Sequence, residues 1–463
     1  MKTGTDAHST GKDLGREKPL RLGSRGEAVR NLQERLSAFG YDPGPPDGVY
    51  GYLTRDAVRR FQGEWRLRVD GIAGREALTT LFSDALKDCR SVHLVRQGET
   101  LADIAGLYGA SEQAISASNH LRRGEIYSGQ RLVIHRSALL GVLTSEAAEG
   151  WGSGLRTRFS RWSNYLTGVI LLSHRLTEEG GIDTGNWDQV RNQLEADGHN
   201  VIPTIHNLLQ GTQWRNRDAL DHVLRNRRAR QLILERLPIL ASGSSPWLAA
   251  DFGSVEVNRR GFLGFIGALS RVTHEAGKKL LLAFSPGARP GWGSLREREL
   301  WRAMDEYCDR VVVCVRDPAS CEASPSGGSA PYDELRSSLK TLAHSVPGWK
   351  TMLCLPVHAR KFAGAGPEVK PGVPISYQTA VTMAHRLRAR AQWDPASGSW
   401  CCRGTEDHEP VEVWYDNRDS FALKLKLVTA HRLSGVVVWM LGYEDTRIWA
   451  AVRDGLVLAP RLT

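Results

Sequence analysis

"WLAADFGSVEV", residues 247–257, is the stretch on which the reading of this chain turns. Trp247, Leu248, Ala249 and Ala250 form an unbroken apolar run, the pattern of a strand buried on both faces in a parallel sheet. The run ends in an acid, Asp251, and loosens at Gly253 and Ser254. Side chains two apart on a strand point the same way, so Asp251 and position 253 share one face. Acid–base chemistry at a strand end commonly needs two carboxyl groups side by side. Here the partner position holds a glycine.

Working outward, the same texture recurs. Apolar runs stand at "ALLGVLT" (138–144), "TGVILLSH" (167–174), "NVIPTIHN" (200–207), "KKLLLAF" (278–284), "RVVVCV" (310–315), "TMLCLPVH" (351–358) and "GVVVWMLGY" (435–443). With 247–252 they make eight strands, separated mostly by amphipathic helical patterns, which predicts a closed (β/α)8 TIM barrel over 137–463. An open doubly wound sheet is the alternative. Between the seventh and eighth strands lie a helical pattern ("SYQTAVTMAHRLRARAQW"), a hairpin-like "WDPASGSWCCRG" and strand-like "VEVWYD", read as a small α+β insertion at about 366–418. Functional side chains of such barrels sit at the C-terminal strand ends. Those ends carry Ser173 and His174, Asn207, Asp251, Ser285, Arg316 and Asp317, His358 and Trp439, with Trp414, Tyr415 and Asp416 from the insertion. An aromatic, amide and carboxylate rim suits a sugar cleft, although any one Trp is ordinary core by itself.

The chain has 463 residues, enough for two to four domains, and a net charge of +10, which favours anionic partners such as wall polymers or nucleic acid. Seven cysteines show no ligand spacing, so neither a disulfide framework nor a zinc site is expected, and no cofactor is implied. Residues 1–18 are a polar tail without the apolar core of a signal peptide, and no run is long enough to span a membrane. Cytoplasmic synthesis is the expectation. Oligomeric state leaves no mark in the sequence.

Two small modules precede the barrel. In 19–83, Val29, Leu32, Leu36 and Phe39 recur at helical spacing, and Asp47-Gly48 is echoed by Asp70-Gly71, each turn feeding a helix. This segment resembles the peptidoglycan-binding domain 1 family, a three-helix bundle, in its "GEAVRNLQERL" opening, "DGVYGYLT" loop and "AVRRFQ" helix. Residues 92–136 read as βααβ, with Thr100 and Ser111 placed to cap the two helices. They are similar to a LysM domain in "VRQGETLADIA" and "GQRLVI". That resemblance implies binding of N-acetylglucosamine glycans in a groove between Gly98, Glu99, Thr100 and Leu101 on one loop and Ile126, Tyr127, Ser128 and Gly129 on the other. Leu101 reads as core and Tyr127 as the better sugar contact. Two wall-binding modules in tandem raise avidity.

The large domain resembles a glycoside hydrolase family 18 barrel of the spore-cortex lytic type, in "LAADFGSVEV", "VEVWYDNRDSFALKLKLV" and "GVVVWMLGYEDTRIW". The resemblance implies a fourth strand ending D-x-E, whose Glu protonates the glycosidic oxygen. The substrate's own N-acetyl group then attacks, and the Asp steadies it. Asp251 aligns with that Asp, and Gly253 stands where the Glu would be. A family Tyr corresponds to Arg316, and an aromatic after the seventh strand to His358. Glu256 is the candidate replacement acid. Arg316 beside Asp251 would form an ion pair suited to anionic or muramyl sugars.

Three readings follow: a peptidoglycan-binding, spore-associated pseudoenzyme; an active N-acetylglucosaminidase using Glu256 with Asp251; and a nucleic-acid binder using "RNRRAR" (225–230). That basic run is expected to be the solvated face of one barrel helix.

Overall fold

The computed structural model describes residues 18–459 except 66, 84–85, 87–89, 120, 122–123, 146–150, 152–153, 210–214, 242, 254–258, 286–294, 316–325, 365–368 and 371. The chain divides into two compact units, one up to Arg136 and one from Ser137 onward.

The first unit opens with three helices, α1 (Glu27–Ala38), α2 (Tyr52–Glu64) and α3 (Arg75–Leu81). Val29, Leu32, Leu36, Val58, Phe61, Leu78 and Leu81 are buried at helical spacing and form the bundle's core. The Asp-Gly echo has a physical basis. Buried Gln33 donates to Asp47 Oδ1 (3.0 Å) and to the Val49 carbonyl (3.1 Å), and accepts from the Gly48 amide (2.9 Å). Buried Gln62 repeats this with Asp70 Oδ1 (2.9 Å), the Ile72 carbonyl (2.9 Å) and the Gly71 amide (2.8 Å). Gly48 and Gly71 have φ of +76° and +72°, the left-handed backbone that glycine adopts without strain. One glutamine therefore clamps each turn, and Tyr50 Oη joins the two by donating to the Gly71 carbonyl at 3.0 Å.

The βααβ module consists of β1 (Arg90–Leu94), α4 (Leu101–Tyr108), α5 (Glu112–Asn119) and the start of the extended segment β2 (Arg131–Leu143). Residues 90–94 and 131–135 pair antiparallel. Thr100 and Asp103 make a reciprocal capping box at the start of α4. Ser111 Oγ accepts from the Ala114 amide (3.1 Å), so both helices begin where their caps predict.

The second unit is a closed parallel barrel. Its strands are the latter part of β2, β3 (Gly168–Leu176), β4 (Val201–His206), β5 (Trp247–Asp251), β6 (Lys279–Phe284), β7 (Arg310–Val313), β8 (Thr351–Pro356) and β14 (Gly435–Trp439). Neighbours pair in order, and β14 with β2 and β2 with β3 complete the ring. Helix α6 (Asp188–Ala196) follows β3, α7 (Arg217–Arg225) and α8 (Arg227–Leu240) follow β4, α9 (Arg259–Glu275) follows β5, α10 (Leu295–Tyr307) follows β6, α11 (Tyr332–Leu342) follows β7, and α13 (Arg418–Ala430) precedes β14. Two apolar clusters explain why the strands are continuous hydrophobic runs. One fills the barrel (Leu140, Ile170, Ile202, Ala249, Leu281, Val312, Met352, Val437), and the other lies between strands and helices (Leu139, Leu171, Leu248, Leu280, Val313, Leu353, Val436).

The basic run 225–230 does not form one helix face. α7 ends at Arg225, and Asn226 caps α8 by accepting from the Arg228 and Ala229 amides (2.9 and 3.2 Å). A side-chain amide at Asn226 competes with helix continuation, so the run straddles a junction. Arg225 there pairs with Asp221 at 2.8 Å.

The insertion begins at β9 (Ala359–Ala363), and continues through β10 (Val373–Ile375), α12 (Tyr377–Arg386), β11 (Gln392–Asp394), β12 (Ser399–Glu406) and β13 (Glu409–Tyr415). The sheet order is β10-β9-β13-β12-β11. Cys402, Val411 and Val413 face Ala380 and Met383 of α12, whereas Cys401, Phe362 and Trp414 pack on the opposite face. Adjacent strand residues point to opposite faces, so Cys401 and Cys402 serve two separate cores.

Candidate functional site

Asp251 is the last residue of β5 and is buried, 5% exposed. Its carboxylate meets a cation that the sequence did not single out. Arg215 Nη2 donates to Asp251 Oδ1 at 2.7 Å, and Nη1 donates to the Asp251 carbonyl at 3.0 Å and to Asn207 Oδ1 at 3.3 Å. The Arg215 side chain is 5% exposed, so this is a fully buried ion pair. Local structure accounts for its position. After β4 the chain folds back on itself through a Leu208–Arg215 bridge. The Asn216 amide donates to the Asn207 carbonyl (2.6 Å), and Asn207 Nδ2 donates to the Asn216 carbonyl (3.0 Å). Asn216 then caps α7 through the Ala219 amide (3.0 Å). Arg215 is thus held between a bridge and a helix cap and aimed at β5.

Gly253 is buried with φ +65° and donates weakly to Asp251 Oδ1 (3.4 Å). Position 253 therefore has no side chain and also has a left-handed backbone, disfavoured by about 1–2 kcal/mol for an L residue with a Cβ. Glu256, Arg316 and Asp317 lie outside the described residues, and so does the expected Arg316–Asp251 contact. Among the described residues, Arg215 is the guanidinium that meets Asp251.

The remaining strand-end residues surround this pair to differing extents. Asn207 is 1% exposed and is spent on holding Arg215 and the Asn216 backbone. Trp439 is buried in the barrel cluster and lines, with Thr204, Asp251, Cys314 and Cys354, a cavity of about 20 Å³. That space holds about one water, so side chains fill the barrel at this level. His206 pairs in register with Asp251, accepts from the Leu208 amide at Nδ1 (3.1 Å) and meets the Leu172 carbonyl at Nε2 (3.1 Å). Burial first, and Arg215 second, push its pKa down to about 3, which keeps the ring neutral. His358 is likewise pushed down to about 3 by burial and then by Arg360, and His174 to about 4, chiefly by burial.

The insertion's Trp-Tyr-Asp run is committed to structure. Trp414 is buried beneath Arg403, 5.6 Å from the ring centre, and its Nε1 donates to Glu412 (3.0 Å). Asp416 accepts from Ser399 Oγ (2.6 Å) and pairs with Lys424 of α13, which is entirely buried. Tyr415 alone remains half-exposed, edge-to-face with Tyr377 at 5.8 Å.

In the first unit the two LysM-like loops come together. The Val95 amide donates to the Gln130 carbonyl and the Gly129 amide to the Val95 carbonyl, both at 2.9 Å. Glu99 Oε2 accepts from the Arg96 amide (2.9 Å) and faces His93 Nε2 (2.8 Å). Gly98 and Gly129 have φ of +80° and +82°. Leu101 is buried, Thr100 is spent on its cap, Ile126 is half-buried, and Ser128 and Tyr127 are exposed, Tyr127 by 70%.

Among the described residues no group of three or more His, Cys, Asp or Glu side chains could hold a metal ion, and no helix is long and apolar enough to cross a membrane.

A (β/α)8 barrel with an α+β insertion before its last strand, preceded by a three-helix bundle and a βααβ module, defines the class: a multidomain protein with a glycosidase-type barrel. Residues 25–81 match the peptidoglycan binding domain family, 93–135 the LysM domain and 244–444 the glycosyl hydrolases family 18. The chain carries these three domains. It is similar to the uncharacterized glycosylase YvbX of Bacillus subtilis, 23% identical over 251 residues, which are 51% of this chain and 70% of that protein. The crystal structure of the spore cortex-lytic enzyme SleL from Bacillus megaterium superposes with TM-score 0.60 at 17% identity, over 80% of this chain and 87% of that one. SleL from Bacillus cereus gives 0.58 at 16% identity, over 96% and 99%. At these identities the likeness concerns the fold.

Proposed function

We propose that this protein binds peptidoglycan of the spore cortex or envelope through its two N-terminal domains, and carries a family 18 barrel that does not cleave glycan by the family's route. The observation that carries this reading is the buried Arg215–Asp251 pair beside Gly253. Substrate-assisted cleavage needs a proton donor near the Asp, and it needs the Asp turned to the substrate's N-acetyl group. Here the carboxylate is neutralised by a guanidinium, and the donor's position has neither a side chain nor a backbone suited to one. Losing a general acid removes about 10²- to 10⁴-fold of rate. The likeness to the two SleL spore cortex-lytic enzymes supports a spore setting.

The test is incubation of the purified full chain with cortex fragments, followed by assay of new reducing ends and of co-sedimentation. Co-sedimentation without reducing ends above a tag-only control is expected. Turnover that Glu256→Gln abolishes would establish the N-acetylglucosaminidase reading instead.

A further inference from the structure

Within the first unit, the three-helix bundle and the βααβ module meet through a residue that belongs to both. Arg90 is the first residue of β1, and its backbone pairs with His135 in the βααβ sheet. Its side chain enters the bundle, where it is 4% exposed. Nε donates to the carbonyl of Phe39, just past α1, at 3.1 Å, and Nη1 pairs with Oε1 of Glu64, the last residue of α2. The guanidinium lies 5.0 Å from the ring centre of Tyr41 and 5.8 Å from that of Trp65. Tyr41 Oη donates to Glu64 Oε2 (2.8 Å) and accepts from Trp65 Nε1 (2.7 Å). Burial pushes that phenol well above its ordinary range, so it stays a donor to Glu64. One module thus supplies the cation, and the other supplies the carboxylate and two aromatic rings.

A second contact lies beside it. Val92 shares a strand face with Arg90 and packs against Gly40, where a Cβ would come within 2.8 Å of Val92 Cγ2. The opposite face of β1 carries His93, whose Nε2 meets Glu99 of the groove loop. So one strand has one face on the bundle and supports the candidate glycan loop with the other. Separating the modules would break a buried ion pair together with the hydrogen bonds that satisfy it, which is costly, whereas a loosely tethered arginine would simply be solvated.

Resting on the wall-binding reading above, we propose that the bundle and the βααβ module act as one rigid two-site reader of wall polymer, locked together by Arg90, rather than as two tethered binders. A fixed spacing changes what the pair recognises. Flexibly joined modules accept many geometries and lose conformational freedom each time both engage. A locked pair has met that entropy cost in folding, and it gains affinity only from a polymer that presents both contact points at the matching distance. A short oligosaccharide fills the βααβ groove alone and is indifferent to the lock.

The experiment follows hydrogen exchange in the full chain. Leu36→Ala opens a cavity in the bundle core and should speed exchange there and, through the lock, about tenfold in residues 131–135 of the other module. In an Arg90→Ala background the same cavity should speed exchange in the bundle alone. Gly40→Ala drives a methyl group into Val92 and should uncouple the modules as Arg90→Ala does. Gly44→Ala is the control, since its backbone is equally left-handed (φ +81° against +84°) but it faces Leu53. Co-sedimentation with wall fragments should weaken about fivefold in Arg90→Ala and Gly40→Ala, while calorimetric affinity for an N-acetylglucosamine trimer stays unchanged. Exchange in 131–135 that ignores Leu36→Ala in the otherwise native chain, or wall affinity equal with and without Arg90, would overturn the locked reader and leave wall binding standing. Coupled exchange in a chain that sediments with no wall fragment would overturn the reader and the wall-binding reading together.

Discussion

Arg215→Met is the sharpest perturbation of the site. It removes a cation from a place where both partners are buried, with side chains 5% and 7% exposed, and takes the guanidinium away from the Asp251 carboxyl group among Ala249, Trp439 and Cys314. Removing one partner of a buried pair costs about 3–5 kcal/mol, because the remaining charge has lost its counter-charge but not its desolvation. Arg215 also donates to the Asp251 carbonyl and to Asn207, which puts the expected loss toward the upper part of that range. Asp251→Leu should cost a comparable amount by stranding the guanidinium. The double variant carries no unpaired charge, so it should recover much of what the singles lose. A double variant that costs no more than either single sets the coupling at about 3–5 kcal/mol or more in size. Urea denaturation of the full chain, following the barrel's tryptophans, measures all four corners of this cycle. Singles within 0.5 kcal/mol of wild type, or a double variant equal to the sum of the singles, would refute the buried pair and with it the account of why Asp251 is unavailable.

Gly253→Glu alone should not produce new reducing ends from cortex fragments, and should lower the urea midpoint by about 1–2 kcal/mol of stability, since φ at that position is +65°; hydrolysis from this single change would show that Asp251 is free to work. Gln33→Ala and Gln62→Ala should each destabilise the N-terminal bundle by about 1–3 kcal/mol, similarly for the two, because each leaves a buried glycine amide without its acceptor; hydrogen exchange at Gly48 and Gly71 reads this locally, and unchanged protection would count against the clamps. Acid should weaken the barrel: His206 and His358 at about 3 and His174 at about 4 stay neutral in the fold but charge in the unfolded chain below about pH 6.5, so stability is full above that pH and falls as pH drops toward their folded values. Each contributes a loss of about 2 kcal/mol by pH 5, and a melting temperature that stays level from pH 7 to 5 would contradict their burial as neutral rings.

The barrel could be read from sequence because parallel strands covered on both faces leave unbroken apolar runs, and because Gly, Pro and polar clusters separate them. The module helices were legible from caps, as at Thr100 and Ser111. What escaped was pairing across the fold. Arg215 lies 36 residues from Asp251 in a segment, "QWRNRD", that has no periodicity, and nothing local marks its target. Lys424 did leave a signal. It sits three residues after Phe421 and four before Val428, on the apolar stripe of α13, where a cation must be paired if it is buried. The same stripe explains why Asp416, expected at a sugar cleft, is instead its counter-ion. The helix junction at Asn226 was hidden because flanking Leu and Val residues sustain helical periodicity straight through it.

A buried ion pair is weak evidence of selection for stability, since two apolar residues of like volume commonly do as well. The Arg215–Asp251 pair therefore invites an account in terms of what it prevents. A carboxylate left alone at the end of β5 would either draw water into the barrel or take up a proton, and in both cases the strand ends around it would loosen. With Arg215 in place, the Asp251 carboxylate faces a counter-charge and the β4 fold-back is anchored to β5. On the proposed reading, a strand end anchored in that way costs less entropy to engage than one that must order on binding, which suits holding a glycan. If its N-terminal domains hold it on the wall as proposed, such a barrel gains from each additional weak contact through effective concentration, which a freely diffusing enzyme does not.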